Sequence, residues 1–296
     1  MNRVAFTLFG VEIYWYAIFI TLGMICGALS ATYVFKKRGY KAWDLVIDCM
    51  IAVVPSAILG ARLYYYIFSG EHWTFAQFFD FRSGGLAVYG GIIASAIALV
   101  IVAKIKKIKI IDLFDAGGLG LLIGQAIGRW GNFVNQEAFG ALVTDPGKQW
   151  FPLAVKIPLE NYRTVPDALA EVLEYYGTAP ENCYFMATFF YESMLCLICF
   201  IVLFLIARKI RISGVLYSSY FVMYGVIRLI VEGFRTDSLK IGATSLRVSQ
   251  LLSIILIIAG TALLVFYILR YRKNGGEPAE IEPAEKTDTI EEGFTE

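Results

Sequence analysis

GRWGNFVNQEAFG, residues 128–140, closes a glycine-rich apolar run that begins near Leu113. A run of that composition suits the inside of a membrane, yet it ends in Arg129, Asn132, Asn135 and Glu137. The surrounding chain has 296 residues, 58% of them hydrophobic and only 17% charged. That is too apolar for a soluble domain of this size. Several other runs reach the roughly 20 residues that cross a bilayer. Seven spans can be drawn, at about 12–35, 45–68, 86–103, 112–130, 184–207, 214–234 and 249–270. The expected fold is all-α: a polytopic membrane domain over residues 1–273 with an extracytoplasmic segment at about 131–183.

The charges orient these spans. Basic clusters follow the first, third, fifth and seventh: Lys36, Lys37, Arg38 and Lys41; Lys104, Lys106, Lys107 and Lys109; Arg208, Lys209 and Arg211; Arg270, Arg272 and Lys273. Short loops rich in Lys and Arg stay in the cytoplasm. All four clusters agree on an outside N-terminus and a cytoplasmic C-terminus. The first apolar run is long and is followed by KKR, so it reads as a retained span and not a cleaved signal. Residues 274–296 are acidic, contain Pro and Gly, and read as a disordered cytoplasmic tail. A net charge of +1 gives no support for nucleic-acid binding.

On this topology the unusual polar residues share one membrane face. Tyr16 opens the first span, Arg62 lies near the end of the second, and Tyr89 near the start of the third. Arg129 ends the fourth, and Arg228, Glu232 and Arg235 lie near the end of the sixth. Tyr224, Arg228, Glu232 and Arg235 have helical spacing and line one face, where Glu232 can pair with either arginine. A charge inside a span costs about 2.5–3.5 kcal/mol on insertion scales, so it faces a cavity or a partner. One Arg–Glu pair would read as a structural ion pair. Arg62, Arg129, Arg228 and Arg235 against Glu137 and Glu232 read as a net positive outer cavity. Arginine's planar fork suits phosphate oxygens, and phosphates in an outer leaflet belong to lipids. The residues therefore point to an anionic phospholipid site, open to catalysis.

Other features carry less. Cys196 and Cys199 form a CxxC inside LCLICFIVLF, where nothing favours a thiolate, so they read as packing residues. His72 is the single histidine, which argues against a zinc site or a Ser-His-Asp triad. No metal or cofactor is expected. Gly120, Gly124 and Gly128 recur every fourth residue and suit close helix packing. Gly90 and Gly91 leave two readings open, packing or access for a lipid or peptide backbone.

GRWGNFVNQEAFG resembles the signature of bacterial prolipoprotein diacylglyceryl transferases, G-R-x-G-N-F-x-N-x-E-x-x-G, at every fixed position from Gly128 to Gly140. The resemblance extends to GGLAVYGG, to FFYES at 189–193, and to YGVIRLIVEGFR with the later SQ at 249–250. It implies transfer of the diacylglyceryl group of phosphatidylglycerol to the lipobox cysteine of a preprolipoprotein signal peptide, with glycerol-1-phosphate leaving. It implies a multi-pass protein of the bacterial cytoplasmic membrane whose partners are those substrates and membrane lipids. By position, Arg129 and Arg228 resemble the family's essential arginines; Asn132, Glu137 and Gly140 match signature residues. Glu232, Arg235 and Tyr16 match family positions, and Arg62 is added as a lipid contact from its place alone. Many members carry His where this chain has Tyr89, and His-Pro where it reads MATFFYES. Tyr89 is then a candidate base, a weak one given tyrosine's free pKa near 10, with Glu137 and Glu232 as rivals. A lipid transporter or flippase with an outer cationic site is the alternative; it would more often show repeat-related halves and broken helices.

Overall fold

A computed structural model describes residues 2–70, 74–80, 84–235 and 247–274. The expected tail from residue 275 onward, and His72, lie outside them. In chain order the elements are β1 (Val4–Leu8), β2 (Val11–Tyr14), α1 (Trp15–Lys37), α2 (Ala42–Ser69), α3 (Phe75–Phe79), α4 (Val88–Ile105) and α5 (Ile110–Asn135). Then come β3 (Ala154–Pro158), α6 (Leu159–Tyr162), α7 (Pro166–Tyr176), β4 (Asn182–Met186), α8 (Thr188–Lys209), α9 (Val215–Glu232) and α10 (Val248–Lys273).

Seven of these helices are long and apolar enough to cross a membrane: α1, α2, α4, α5, α8, α9 and α10. The shortest, α4 and α9, have 18 residues and reach about 27 Å at 1.5 Å per residue, close to the thickness of a bilayer's hydrocarbon core. Isoleucines such as Ile51, Ile67, Ile105 and Ile258 are exposed along them. Only lipid covers such surfaces without penalty. The expected spans hold to within a few residues, with two instructive differences. The fourth helix runs on to Asn135, so Asn132 and Asn135 are helical. The fifth starts at Thr188 because Asn182–Met186 is a strand, with Cys183 and Phe185 buried alternately.

The chain divides into two compact units, residues 1–46 with 114–269, and residues 47–113 with 270–296. In the first, α1 and α5 pack antiparallel through glycines. A Cβ on Gly23 would lie 3.1 Å from Gly124 O, one on Gly27 3.1 Å from Gly120 O, and one on Gly131 2.5 Å from Tyr16 Cδ2. Backbones this close tolerate only small residues, so the expected packing role holds for Gly120 and Gly124. At the other end of the same helices, buried Asp115 accepts from the Arg38 guanidinium and from the Gly214 and Tyr217 N–H groups at 2.7 Å. It thereby caps the start of α9 and neutralises Arg38. Lys37 Nζ donates to the terminal carbonyls of α8 at Ala207 and Arg208.

Between α5 and α8, two of the candidate spans, the chain builds a small layer of short strands and helices. β3 and β4 pair antiparallel from Ala154↔Met186 to Pro158↔Asn182. Their inner faces, with Tyr162 and with Ala168 and Val172 of α7, bury a core around Phe185. Gly177, in the left-handed conformation at φ 68°, stops α7.

In the second unit, α2 and α4 cross closely. A Cβ on Gly60 would lie 2.7 Å from Gly90 O, and one on Gly91 3.2 Å from Ala57 O. The backbone that approaches Gly90 and Gly91 is therefore that of α2, which decides for the packing reading.

Candidate active site

The first unit gathers its unusual polar side chains where α5 and α9 end and α8 begins. Below them, Ala126, Cys196, Ile227 and Val231 form a buried cluster that joins the three helices. Ser193 Oγ donates to Ala126 O at 2.7 Å and locks the first turns of α8 to α5. On that footing Arg129 Nη2 meets Glu192 Oε1 at 2.6 Å. Arg228 Nη1 meets Glu192 Oε2 at 3.4 Å, and Arg228 Nη2 meets Glu232 Oε2 at 2.6 Å. The Glu192 side chain is 2% exposed, so its charge is sustained by the two guanidiniums and not by water.

Glu192 is the residue that sequence reading missed. It lies within FFYES, and a carboxylate in an apolar span is itself a signal. Its presence lowers the charge count by one, and Arg62 drops out of it because that residue belongs to the other unit. What is left in the first unit, Arg129, Arg228 and Arg235 against Glu137, Glu192 and Glu232, is a balanced group of six. Anion affinity must come from directed N–H groups. A guanidinium has five. Arg129 engages two, to Asn132 and Glu192, and Arg228 two, to Glu192 and Glu232. Among the described residues three donors on each arginine are left over.

The signature folds over this network. Asn132 Oδ1 accepts from Arg129 Nη1 at 3.2 Å, and its Nδ2 donates to Glu137 Oε1 at 2.9 Å. Asn135 Nδ2 reaches the same oxygen at 3.2 Å. Positive φ at Gln136 and Ala138, 54° and 55°, turns Glu137 back over the end of α5. Tyr16 lies against Gly131, one residue from Asn132. Gly140 passes where a Cβ would come 2.6 Å from Phe234 O and 2.7 Å from Thr188 Cγ2. Its N–H donates to Met186 O, and it forms an isolated bridge with Arg235. Close packing on both sides thus requires glycine at position 140. Glu232 pairs with Arg228, one of the two partners its helical spacing allowed.

Arg62 and Tyr89 belong to the second unit. Arg62 is buried, and its guanidinium donates to the carbonyls of Gln77 (2.6 Å), Asp80 (2.8 Å), Phe78, Gly84 and Gly85. It also stacks over Tyr66, 4.9 Å from the ring centre. These bonds tie two stretches of backbone to α2. Tyr89 is half exposed, its ring 6.4 Å from that of Tyr64.

Comparison with known proteins now decides the family. A family model described as prolipoprotein diacylglyceryl transferase matches residues 3–266. The chain belongs to this family. A protein of Finegoldia magna named phosphatidylglycerol–prolipoprotein diacylglyceryl transferase is 38% identical over 270 residues, covering 90% of this chain and 96% of its own. A Clostridioides difficile protein of the same name is 36% identical over 279 residues, 94% of this chain and all of its own. One from Clostridium botulinum is 36% identical over 276 residues, 93% of this chain and all of its own. As a family member with these relatives, the chain is a multi-pass membrane protein of transferase type, and the transporter alternative is not favoured. The family match also takes in the 141–183 segment, which the signature motifs did not reach.

Proposed function

We propose that this protein transfers the diacylglyceryl group of phosphatidylglycerol to the lipobox cysteine of a preprolipoprotein signal peptide, the first step of lipoprotein maturation. The cysteine thiolate attacks the glyceryl carbon that bears the phosphate. A C–S bond forms, the C–O bond to phosphate breaks, and glycerol-1-phosphate leaves with the bonding electrons. The observation that carries this reading is the pair of guanidiniums held by buried Glu192, each with donors left for a phosphate. Charge builds on the departing phosphate, and pre-placed donors stabilise it in a dry setting. Glu192 and Glu232 are positioning residues that fix the arginine forks. Asn132, Tyr16 and Arg235 border the donor.

The thiol proton needs an acceptor. Tyr89 is the candidate from its family position. Glu137 is a rival with Oε2 uncommitted among the described residues, whereas Glu232 is engaged by Arg228. Arg62, with its donors on backbone carbonyls, holds its own loop, and any effect on the lipid passes through that loop.

The membrane is the bacterial cytoplasmic membrane, with the N-terminus and the arginine network outside. The basic residues Lys36, Lys37, Arg208 and Lys209 sit at the helix ends opposite Tyr16 and Glu192, as the positive-inside rule requires of an outer site. The test is purified protein with phosphatidylglycerol and a lipobox peptide. The expected product is a peptide heavier by one diacylglyceryl group in thioether linkage, together with glycerol-1-phosphate; unmodified peptide after full incubation would refute the reading.

A further inference from the structure

A cavity of about 370 Å³ adjoins the arginine network, within the roughly 300–1,000 Å³ range of ligand pockets. Asn132 and Glu137 contribute to it from the signature loop, Gln149 and Lys156 from the layer between α5 and α8, and Phe151 and Phe189 supply apolar wall. Asn132 belongs to both places. Its Oδ1 faces Arg129 and its Nδ2 faces Glu137, so one side chain separates the cavity from the phosphate donors. An occupant would lie beside the reacting phosphate ester.

Resting on the transfer reading above, we propose that this cavity binds, in extended form, the stretch of acceptor polypeptide that follows the modified cysteine. The lining suits a peptide backbone. Gln149 Nε2 donates to Val143 O at 2.8 Å, and its Oε1 has no partner among the described residues. Lys156 stands exposed on β3 without an ion pair among the described residues. One offers an acceptor for a peptide N–H, the other a donor for a carbonyl. The Phe151 ring, backed by the buried Phe189 ring stacked at 6.5 Å and 21°, offers a floor for small side chains. Phe151 is 46% exposed, an aromatic surface that burial against a ligand would stabilise.

Placement selects the occupant. The cavity lies beyond the end of α5, against residues 149–157 of the layer between α5 and α8. The part of a signal peptide before the cysteine is apolar and remains among the spans. The part after it must leave the lipid at the end where the cysteine reacts, which brings it past this wall. Acyl chains of the donor run the other way, into the bilayer.

Two lipobox peptides test this with the full-length protein in phosphatidylglycerol nanodiscs. One ends as an amide at the cysteine; the other continues for several residues. The parent should show a KM about tenfold lower for the extended peptide, with similar kcat. Gln149→Ala and Phe151→Ala should bring the ratio of the two KM values close to one. Tyr175→Ala, an exposed position on α7, should keep the parent ratio. The parent comparison needs no variant, so misfolding of a variant leaves it decisive. A benzophenone in the extended segment should, in addition, label residues 149–157. Equal KM values for both peptides in the parent would overturn the inference while product still forms. A raised KM for phosphatidylglycerol with the peptide ratio intact would place the lipid headgroup in the cavity and overturn it too. No product from either peptide is a different failure: it refutes the transfer reading and takes this inference with it.

Discussion

Replacing Glu192 by Gln is the sharpest perturbation of the arginine network. The side chain keeps its shape and loses its charge. Glu192 accepts from Arg129 at 2.6 Å and from Arg228 at 3.4 Å, at 2% exposure. A glutamine has one acceptor oxygen, so whichever way it turns, one guanidinium faces an amide NH₂. The group of three arginines and three glutamates then carries one surplus positive charge. A charge-assisted bond is worth about 1.5–3 kcal/mol, and breaking a buried pair costs about 3–5 kcal/mol. The 3.4 Å contact is long, so about 2–4 kcal/mol is the working figure. Lost from the positioning of both arginines, that is about a 30- to 1,000-fold fall in kcat/KM. The assay is diacylglyceryl transfer to a lipobox peptide in nanodiscs, with thermal unfolding recorded beside it. Glu192→Asp, which keeps the charge but shortens the reach, should fall between the two. Turnover within threefold of the parent for Glu192→Gln, at an unchanged Tm, would refute the idea that this carboxylate sets the arginine forks.

Gly131→Ala should destabilise by about 1–3 kcal/mol, because its Cβ would lie 2.5 Å from Tyr16 Cδ2; unfolding measurements should show partial recovery when Tyr16→Ala is added. Arg62→Lys loses the fork that holds five backbone carbonyls; Tm should drop while the KM for phosphatidylglycerol stays near the parent value, and the reverse pattern would make Arg62 a lipid contact. Tyr89→Phe should lose most transfer activity, with Tyr89→His retaining part of it; a Phe variant that turns over like the parent between pH 6 and 9 would make the hydroxyl dispensable and leave Glu137 as the leading base. Reporter fusions after Lys41 and Lys109 should register as cytoplasmic, and an external signal would reverse the proposed face of the site.

The spans were legible because membrane crossing is written in long apolar runs, and their ends in Lys and Arg. The α1–α5 contact was half legible: Gly120 and Gly124 announce a close neighbour, but nothing local says that it is Gly27 and Gly23. Asp115 shows the same limit, since its three partners come from residues 38, 214 and 217, far apart in the chain. A segment outside the spans is expected at about 131–183, but its strands are not, although Val155 and Ile157, and Cys183 and Phe185, alternate as strand residues do. Strands of five residues beside helices of twenty are easily absorbed into them. At the site, the arginines stood out as charges in apolar sequence. Which glutamate bridges them did not, because helical spacing on one helix offered Glu232, and the bridge to Arg129 comes from another helix.

In the proposed function, Arg129 and Arg228 together hold the phosphate as it leaves. Single-turnover transfer by Arg129→Lys and Arg228→Lys, in nanodiscs and at the parent's Tm, measures it directly. Lysine keeps the charge and removes the fork. A fall of at least about 100-fold in the transfer step is expected for each variant. Near-parental single-turnover rates in both would contradict it and place the departing phosphate elsewhere.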